Sequence, residues 1–110
     1  YLISVTNLRV LPPWLIAWPA RMAINFHDGP LPERAGLNVP VWSIINGESE
    51  HGITWHILTE AVDAGGILVE RRFPIHADDT AFTLNARCYE EALKGFETLL
   101  DKIETGTLAP

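Results

Sequence analysis

Three polar residues have the types needed to act together on a carbonyl group: Asn25, His27 and Asp63. An imidazole can take a proton from an amine near neutral pH. An Asn amide can donate a hydrogen bond to a carbonyl oxygen as negative charge develops there. A carboxylate can orient the imidazole or relay a proton through water. These chemistries suit acyl transfer to an amine, and the absence of a Gly-x-Ser-x-Gly segment gives no indication of a covalent acyl-enzyme.

Each of these residues also has an ordinary structural explanation. A lone His at the end of a strand is more often structural than catalytic. Asn25 could bond backbone groups of the loop that follows it. Asp63 precedes Ala64-Gly65-Gly66, where an Asp commonly stabilises a turn. Residue types and spacing alone therefore leave the choice open.

The elements that would position these residues can be read from the apolar pattern. "YLISV" and "MAINFH" are predicted as buried strands, and the second carries Asn25 and His27 to its exit. "GITWHIL" alternates as a third strand and leads into the turn "AVDAGG", which holds Asp63. Ligands of open α/β sheets bind beyond the carboxyl ends of the strands. We therefore expect the three side chains at one edge of the sheet.

The remaining segments complete an α/β layered domain. "PPWLIAWPA" and "VPVWSIING" are predicted as short helices, and "ILVERRFPI" as a strand at an exposed edge of the sheet. A long helix is predicted from about residue 80, with Asp79 as its N-cap and Gly106 as its stop. Its expected core-facing stripe consists of Phe82, Ala86, Tyr89, Leu93, Phe96, Leu100 and Ile103.

The composition of the chain and the spacing of its histidines disfavour some classes of function, including direct nucleic-acid binding and metal binding. The chain has 110 residues, enough for one domain, and a net charge of −6 that disfavours direct nucleic-acid binding by this segment. Its single cysteine, Cys88, cannot form an internal disulfide, which fits a reducing compartment, and we expect a cytoplasmic protein without a membrane partner. The spacing of His27, His51 and His56 matches no usual ligand pattern, so no metal site is predicted.

Residues 23–68, "AINFHDGPLPERAGLNVPVWSIINGESEHGITWHILTEAVDAGGIL", resemble the catalytic half of the folate-dependent formyltransferases. Four ordered features carry the resemblance, which covers about residues 1–75. They are Asn-x-His, a Leu-Pro loop followed by Gly, a helix ending in Asn46-Gly47, and Val62-Asp63-Ala64-Gly65 before an apolar strand. The resemblance implies a Rossmann-like three-layer fold.

It also implies a function and a site. The donor would be 10-formyltetrahydrofolate, and the acceptor an amine of an aminoacyl group, an amino sugar or a carrier-bound amino acid. Asn25, His27 and Asp63 would be catalytic: Asn25 would stabilise the oxyanion, His27 would assist, and Asp63 would hold the imidazole and help move the amine proton. The folate would contact Arg9, Val10, Leu11, Ile16, Gly29, Pro30, Leu31, Pro32 and Val62.

The sequence also departs from the family pattern. The family loop commonly reads His-Pro-Ser-Leu-Leu-Pro, whereas residues 27–32 read "HDGPLP". This version is more similar to the formylation domains of nonribosomal peptide and polyketide assembly lines. No counterpart of the family's N-terminal half is present, so residues 1–110 are expected to be the C-terminal part of one catalytic domain. Other domains of the same chain would then recognise most of the acceptor.

Two other functions remain open at this point. The same three residues would serve hydrolysis of the formyl donor, with water in place of the amine. A non-catalytic folate-binding or docking module would keep the folate pocket without turnover. The intact Asn25, His27 and Asp63 favour the enzyme, because a binder needs no base beside the formyl group.

Overall fold

The computed structural model describes residues 1–60 and 65–110. The predicted strands and helices are present there, although several are shorter than their sequence patterns suggested. In chain order the elements are β1 (Leu2–Ser4), α1 (Pro13–Ile16), β2 (Ala23–His27), α2 (Val39–Ile45), β3 (Glu50–Ile57), β4 (Ile67–Pro74) and α3 (Ala81–Thr105). None of the helices in the described ranges combines the length and the apolar composition needed to cross a bilayer.

The four described strands form one mixed sheet in the order β1-β2-β3-β4. β1 and β2 are parallel, whereas β3 runs antiparallel to both β2 and β4. The β2–β3 register places Asn25 opposite His56 and His27 opposite Thr54. β3 therefore supplies a neighbouring side chain to each candidate catalytic residue, and β1 adds Ser4 beside Asn25.

Strand β3 is covered on both faces. All six residues from His51 to His56 are buried, so its alternating pattern does not mark a solvent-facing side. Trp55 lies against α3 and donates its indole N–H to the Ala92 carbonyl at 3.2 Å. Gly95 permits this approach, because a Cβ there would lie 3.1 Å from the Trp55 Nε1. β3 is consequently a buried interior strand of the sheet.

Helix α3 differs from its sequence prediction in two ways. Its N-cap is Thr80, which forms a capping box with Thr83, and not Asp79. Asp79 instead accepts a hydrogen bond from the His76 backbone N–H and pairs with Arg87. The hydrogen bond from Arg87 to the Asp79 carboxylate, together with the one from the His76 backbone, lowers the pKa of Asp79.

The buried face of α3 matches the predicted stripe only at Phe96 and Ile103, which are half-buried against the core. The residues that face the core are Leu84, Cys88, Ala92, Gly95 and Leu99, while Phe82, Ala86, Tyr89, Leu93 and Leu100 of the predicted stripe are exposed. Cys88, Ala92 and Gly95 are small and let the helix approach the sheet closely, while Leu84 and Leu99 are the large residues fully buried on this face. Counting large apolar residues therefore misplaced the centre of the buried face.

Truncation of Leu99 should destabilise the protein far more than truncation of its neighbour Leu100. Leu99 is fully buried, whereas Leu100 is 47% exposed in the described structure. We expect Leu99→Ala to lower the free energy of unfolding by about 2–5 kcal/mol, because it leaves a cavity. Leu100→Ala should cost about 1 kcal/mol or less. Urea unfolding of both variants in the full-length protein measures the difference, and equal losses would contradict the placement of α3.

Candidate active site

A cavity of ≈ 410 Å³ lies beside the exits of β1 and β2. Asn25 and His27 line it, together with segments that follow β1 and β3. Because β3 is antiparallel to β2, its own end lies beside the start of β2, where the Leu58 N–H donates to the Ala23 carbonyl at 2.8 Å. The expectation of carboxyl ends meeting at one edge is therefore wrong for β3. Residues 58–60 nevertheless reach the cavity wall.

His27 is held in a defined orientation. Its side chain is 6% exposed, and its Nε2 lies 2.5 Å from the Arg34 carbonyl oxygen. A carbonyl oxygen only accepts, so Nε2 must carry the proton of the neutral ring. Nδ1 is then the basic nitrogen, and it lies 4.0 Å from the Asp28 carboxylate. The Nε2 contact therefore fixes the orientation of the ring.

Asn25 is oriented by His56. The His56 Nδ1 lies 3.1 Å from the Ile57 carbonyl oxygen, and its Nε2 lies 3.2 Å from the Asn25 amide nitrogen. Nδ1–H donates to the carbonyl, so Nε2 accepts from the Asn25 NH₂ group. That contact uses one of the two hydrogens on the Asn25 amide nitrogen and so fixes the plane of the amide group. Because Asn25 lines the cavity, the second hydrogen has a defined direction there. Sequence reasoning gave His56 only a satisfied structural role, although strand pairing was the signal that could have linked it to Asn25.

The predicted folate-contacting residues fall into two groups. Arg9, Val10, Leu11 and Ile16 line the cavity, and Asn7 fixes their loop through hydrogen bonds with the Arg9 backbone. The segment 29–32 does not line it: Gly29, Pro30 and Leu31 are buried, and Pro32 faces solvent away from the cavity. The predicted residues Val62 and Asp63 lie outside the described residues.

A second buried histidine, His51, lies behind the site. It is fully buried, with Nε2 2.7 Å from the Asp28 carbonyl oxygen and Nδ1 3.0 Å from the Ser43 hydroxyl. Desolvation by burial lowers its pKa from the ordinary value of 6.5. His51 is therefore neutral at physiological pH.

The other titratable candidates lack a site-like arrangement. Desolvation raises the pKa of the buried Cys88 thiol to about 12, so it is not a nucleophile near neutral pH. Across residues 1–60 and 65–110, no three His, Cys, Asp or Glu side chains are arranged to hold a metal ion. The cavity next to Asn25 and His27 is thus the candidate active site.

Comparison with known proteins identifies the family of this chain. The sequence profile of the family described as "Formyl transferase" matches residues 1–100. The chain belongs to the formyl transferase family. It is 33% identical over 105 residues to GDP-perosamine N-formyltransferase of Brucella melitensis, covering 96% of this chain and 40% of that protein. It is 32% identical over 108 residues to methionyl-tRNA formyltransferase of Synechococcus sp., covering 98% of this chain and 34% of that protein.

Solved formyltransferase structures share the fold. The formyltransferase PseJ of Anoxybacillus kamchatkensis, solved with UDP-4,6-dideoxy-4-formamido-L-AltNAc and tetrahydrofolate, superimposes with a TM-score of 0.87 at 26% identity. The match covers 99% of this chain and 57% of that one. An N-formyltransferase of Helicobacter canadensis, solved with folinic acid and dTDP-3-aminofucose, gives 0.74 at 29% identity over 78% of this chain and 32% of that one. The expected Rossmann-like formyltransferase fold is confirmed.

His51 should titrate below its ordinary range. We expect the imidazole ring protons of His51 to show an NMR titration midpoint below 6.5, because burial disfavours the charged form. The unfolded chain then binds a proton more readily than the folded one, so this residue stabilises the fold less as pH falls below 6.5. A midpoint at or above 6.5 would contradict the burial of His51.

Proposed function

We propose that the full-length protein containing this chain transfers a formyl group from 10-formyltetrahydrofolate to a primary amine. The observation that carries the proposal is the convergence of Asn25 and His27 on one cavity, with the Asn25 amide oriented by His56. Two of the similar solved structures contain tetrahydrofolate or folinic acid together with a sugar nucleotide, which supports the donor and an amine acceptor. Family membership supports formyl transfer in general.

The described part of the cavity suits such a donor. Its volume of ≈ 410 Å³ lies in the range of small-molecule sites, about 300–1,000 Å³. Val10, Leu11 and Ile16 provide apolar surface for a flat ring, and Arg9 stands beside them. Asn25 and His27 provide the convergent polar groups that such sites require. When bound, the donor supplies the formyl carbon and regains a proton on the nitrogen that loses it.

The chain's residues then have separate tasks. The acceptor nitrogen bonds to the formyl carbon while the bond from that carbon to the donor nitrogen breaks. Asn25 donates its second amide hydrogen to the formyl oxygen as negative charge develops there. His27 receives the amine proton at Nδ1, because Nε2 already donates to the Arg34 carbonyl. We assign Asp63, which the resemblance implies, to the transfer of that proton.

Loss of the His27 imidazole should slow turnover. We expect His27→Ala to lower kcat about 10²–10⁴-fold, because the amine proton loses its acceptor. The measurement is tetrahydrofolate release by the full-length protein in the presence of an amine, with His76→Ala as the control because His76 is exposed and does not line the cavity. Wild-type turnover in His27→Ala would remove His27 from the mechanism.

The same assay separates the alternatives. Release of tetrahydrofolate that depends on the amine supports the transferase, and release in water alone identifies a hydrolase. Binding of the donor without release would identify a folate-binding module. A panel of a nucleotide-linked amino sugar, an aminoacyl-tRNA and a carrier-bound amino acid tests the acceptor class. The last also tests the assembly-line interpretation of "HDGPLP".

Removal of the His56 acceptor should affect Asn25 specifically. We expect His56→Leu to lower kcat about 10²-fold at unchanged KM for the donor, because the Asn25 amide is no longer oriented toward the developing charge. His56→Gln places an amide oxygen near the same position and should retain more activity. Equal kcat values for His56→Leu and His56→Gln would contradict this role.

A further inference from the structure

We propose that His51 is a positioning residue that holds the loop after β2, residues 28–34, and through this loop sets the orientation of His27. The proposal rests on the proposed function, because it concerns the group that would take the amine proton. His51 itself does not line the cavity. It acts through the peptide that directly follows His27.

The contact to that peptide has a fixed direction. The Asp28 carbonyl oxygen can only accept, so the His51 Nε2 carries the proton and donates at 2.7 Å. In the neutral ring Nδ1 is then an acceptor, and the Ser43 hydroxyl donates to it at 3.0 Å. Because His51 and Ser43 are both fully buried, no water competes for these hydrogens. Ser43 thereby selects the tautomer of His51 that binds Asp28.

The far end of the same loop is tied back to the same region. Arg34, whose carbonyl accepts from His27, forms an ion pair with Glu48 through its side chain. The hydrogen bond from Arg34 lowers the pKa of Glu48, so its carboxylate is charged. The Glu48 backbone N–H in turn donates to the Ser43 carbonyl at 3.1 Å. The residues His27, Asp28, His51, Ser43, Glu48 and Arg34 therefore form a closed ring of contacts. His27 is held in this ring through its backbone link to Asp28 and its Nε2 bond to Arg34.

His51 is the group on which this ring depends. Among residues 1–60 and 65–110, the other side-chain donor on the Asp28 carbonyl is the Cys88 thiol at 3.8 Å, a weak donor at long range. Thr54 secures the next peptide by donating to the Gly29 carbonyl at 2.8 Å, but it does not reach Asp28. Without the His51 donor a buried carbonyl loses its strong partner, and the loop shifts to regain one. That shift displaces the Arg34 carbonyl, and His27 then loses the acceptor that keeps its proton on Nε2.

Two amide substitutions separate this role from simple filling of space. His51→Gln carries an NH₂ group near the position of Nε2 and can still donate to Asp28. His51→Asn carries the same group near the position of Nδ1 and cannot reach it. We expect His51→Gln to keep kcat within about fivefold of the wild type and His51→Asn to lower it about 10–100-fold, with KM for the donor unchanged in both. His76→Gln and His76→Asn, at the exposed histidine, are the matched controls.

A second readout does not depend on activity. The ¹⁵N shift of the His27 Nε2–H reports its bond to the Arg34 carbonyl, and it should match the wild type in His51→Gln and change in His51→Asn. Equal kcat and equal His27 shifts in the two variants would overturn the proposal. If the wild type shows no formyl transfer, the proposed function fails, while the NMR comparison still decides the positioning role. If His51→Asn does not fold, Ser43→Ala, which removes the donor to Nδ1, should change the same His27 shift, and no change would overturn the proposal.

Discussion

The antiparallel pairing of β2 with β3 is the constraint on which the site depends. It sets Asn25 opposite His56 and His27 opposite Thr54, so β3 supplies a polar side chain opposite each candidate catalytic residue. A shift by one residue would turn every one of these side chains to the other face of the sheet. The buried contact between Trp55 and α3 holds β3 in this register. The packing of α3 on β3 therefore contributes to the geometry of the cavity.

Buried polar groups around the site are satisfied by specific partners. In the described ranges, no buried side-chain nitrogen or oxygen lacks a hydrogen-bond partner. Three histidines share this environment with different bonds: His27 donates to Arg34, His56 accepts from Asn25, and His51 donates to Asp28. Each partner selects one tautomer of the neutral imidazole, so each ring nitrogen acts either as a donor or as an acceptor. Such an arrangement is preorganised for charge that develops during a reaction.

Part of this site could be predicted from local sequence. The apolar run before Asn25 and His27 identifies a buried strand. Their residue types made them candidates for acting on a carbonyl group, and the family resemblance favoured that role over a structural one. The loop at Arg9–Leu11 could be assigned through the family resemblance, and it does line the cavity. The segment 29–32 was assigned by the same resemblance, yet its described residues serve packing and β3 contacts rather than the cavity wall. A motif match predicts which segments of the chain lie near a site more reliably than it predicts which of their side chains face it.

The sequence by itself determined the order of strands and helices, the candidate pair at the end of β2 and the membership of the family, because these follow from short-range periodicity and from ordered motifs. The tertiary structure decided the buried face of α3, the antiparallel course of β3 and the roles of His51 and His56. These depend on contacts between residues more than 20 positions apart, such as Asp28 with His51 and Asn25 with His56. A local sequence pattern cannot predict such contacts, because close packing and long-range hydrogen-bond partners exist only once the chain has folded.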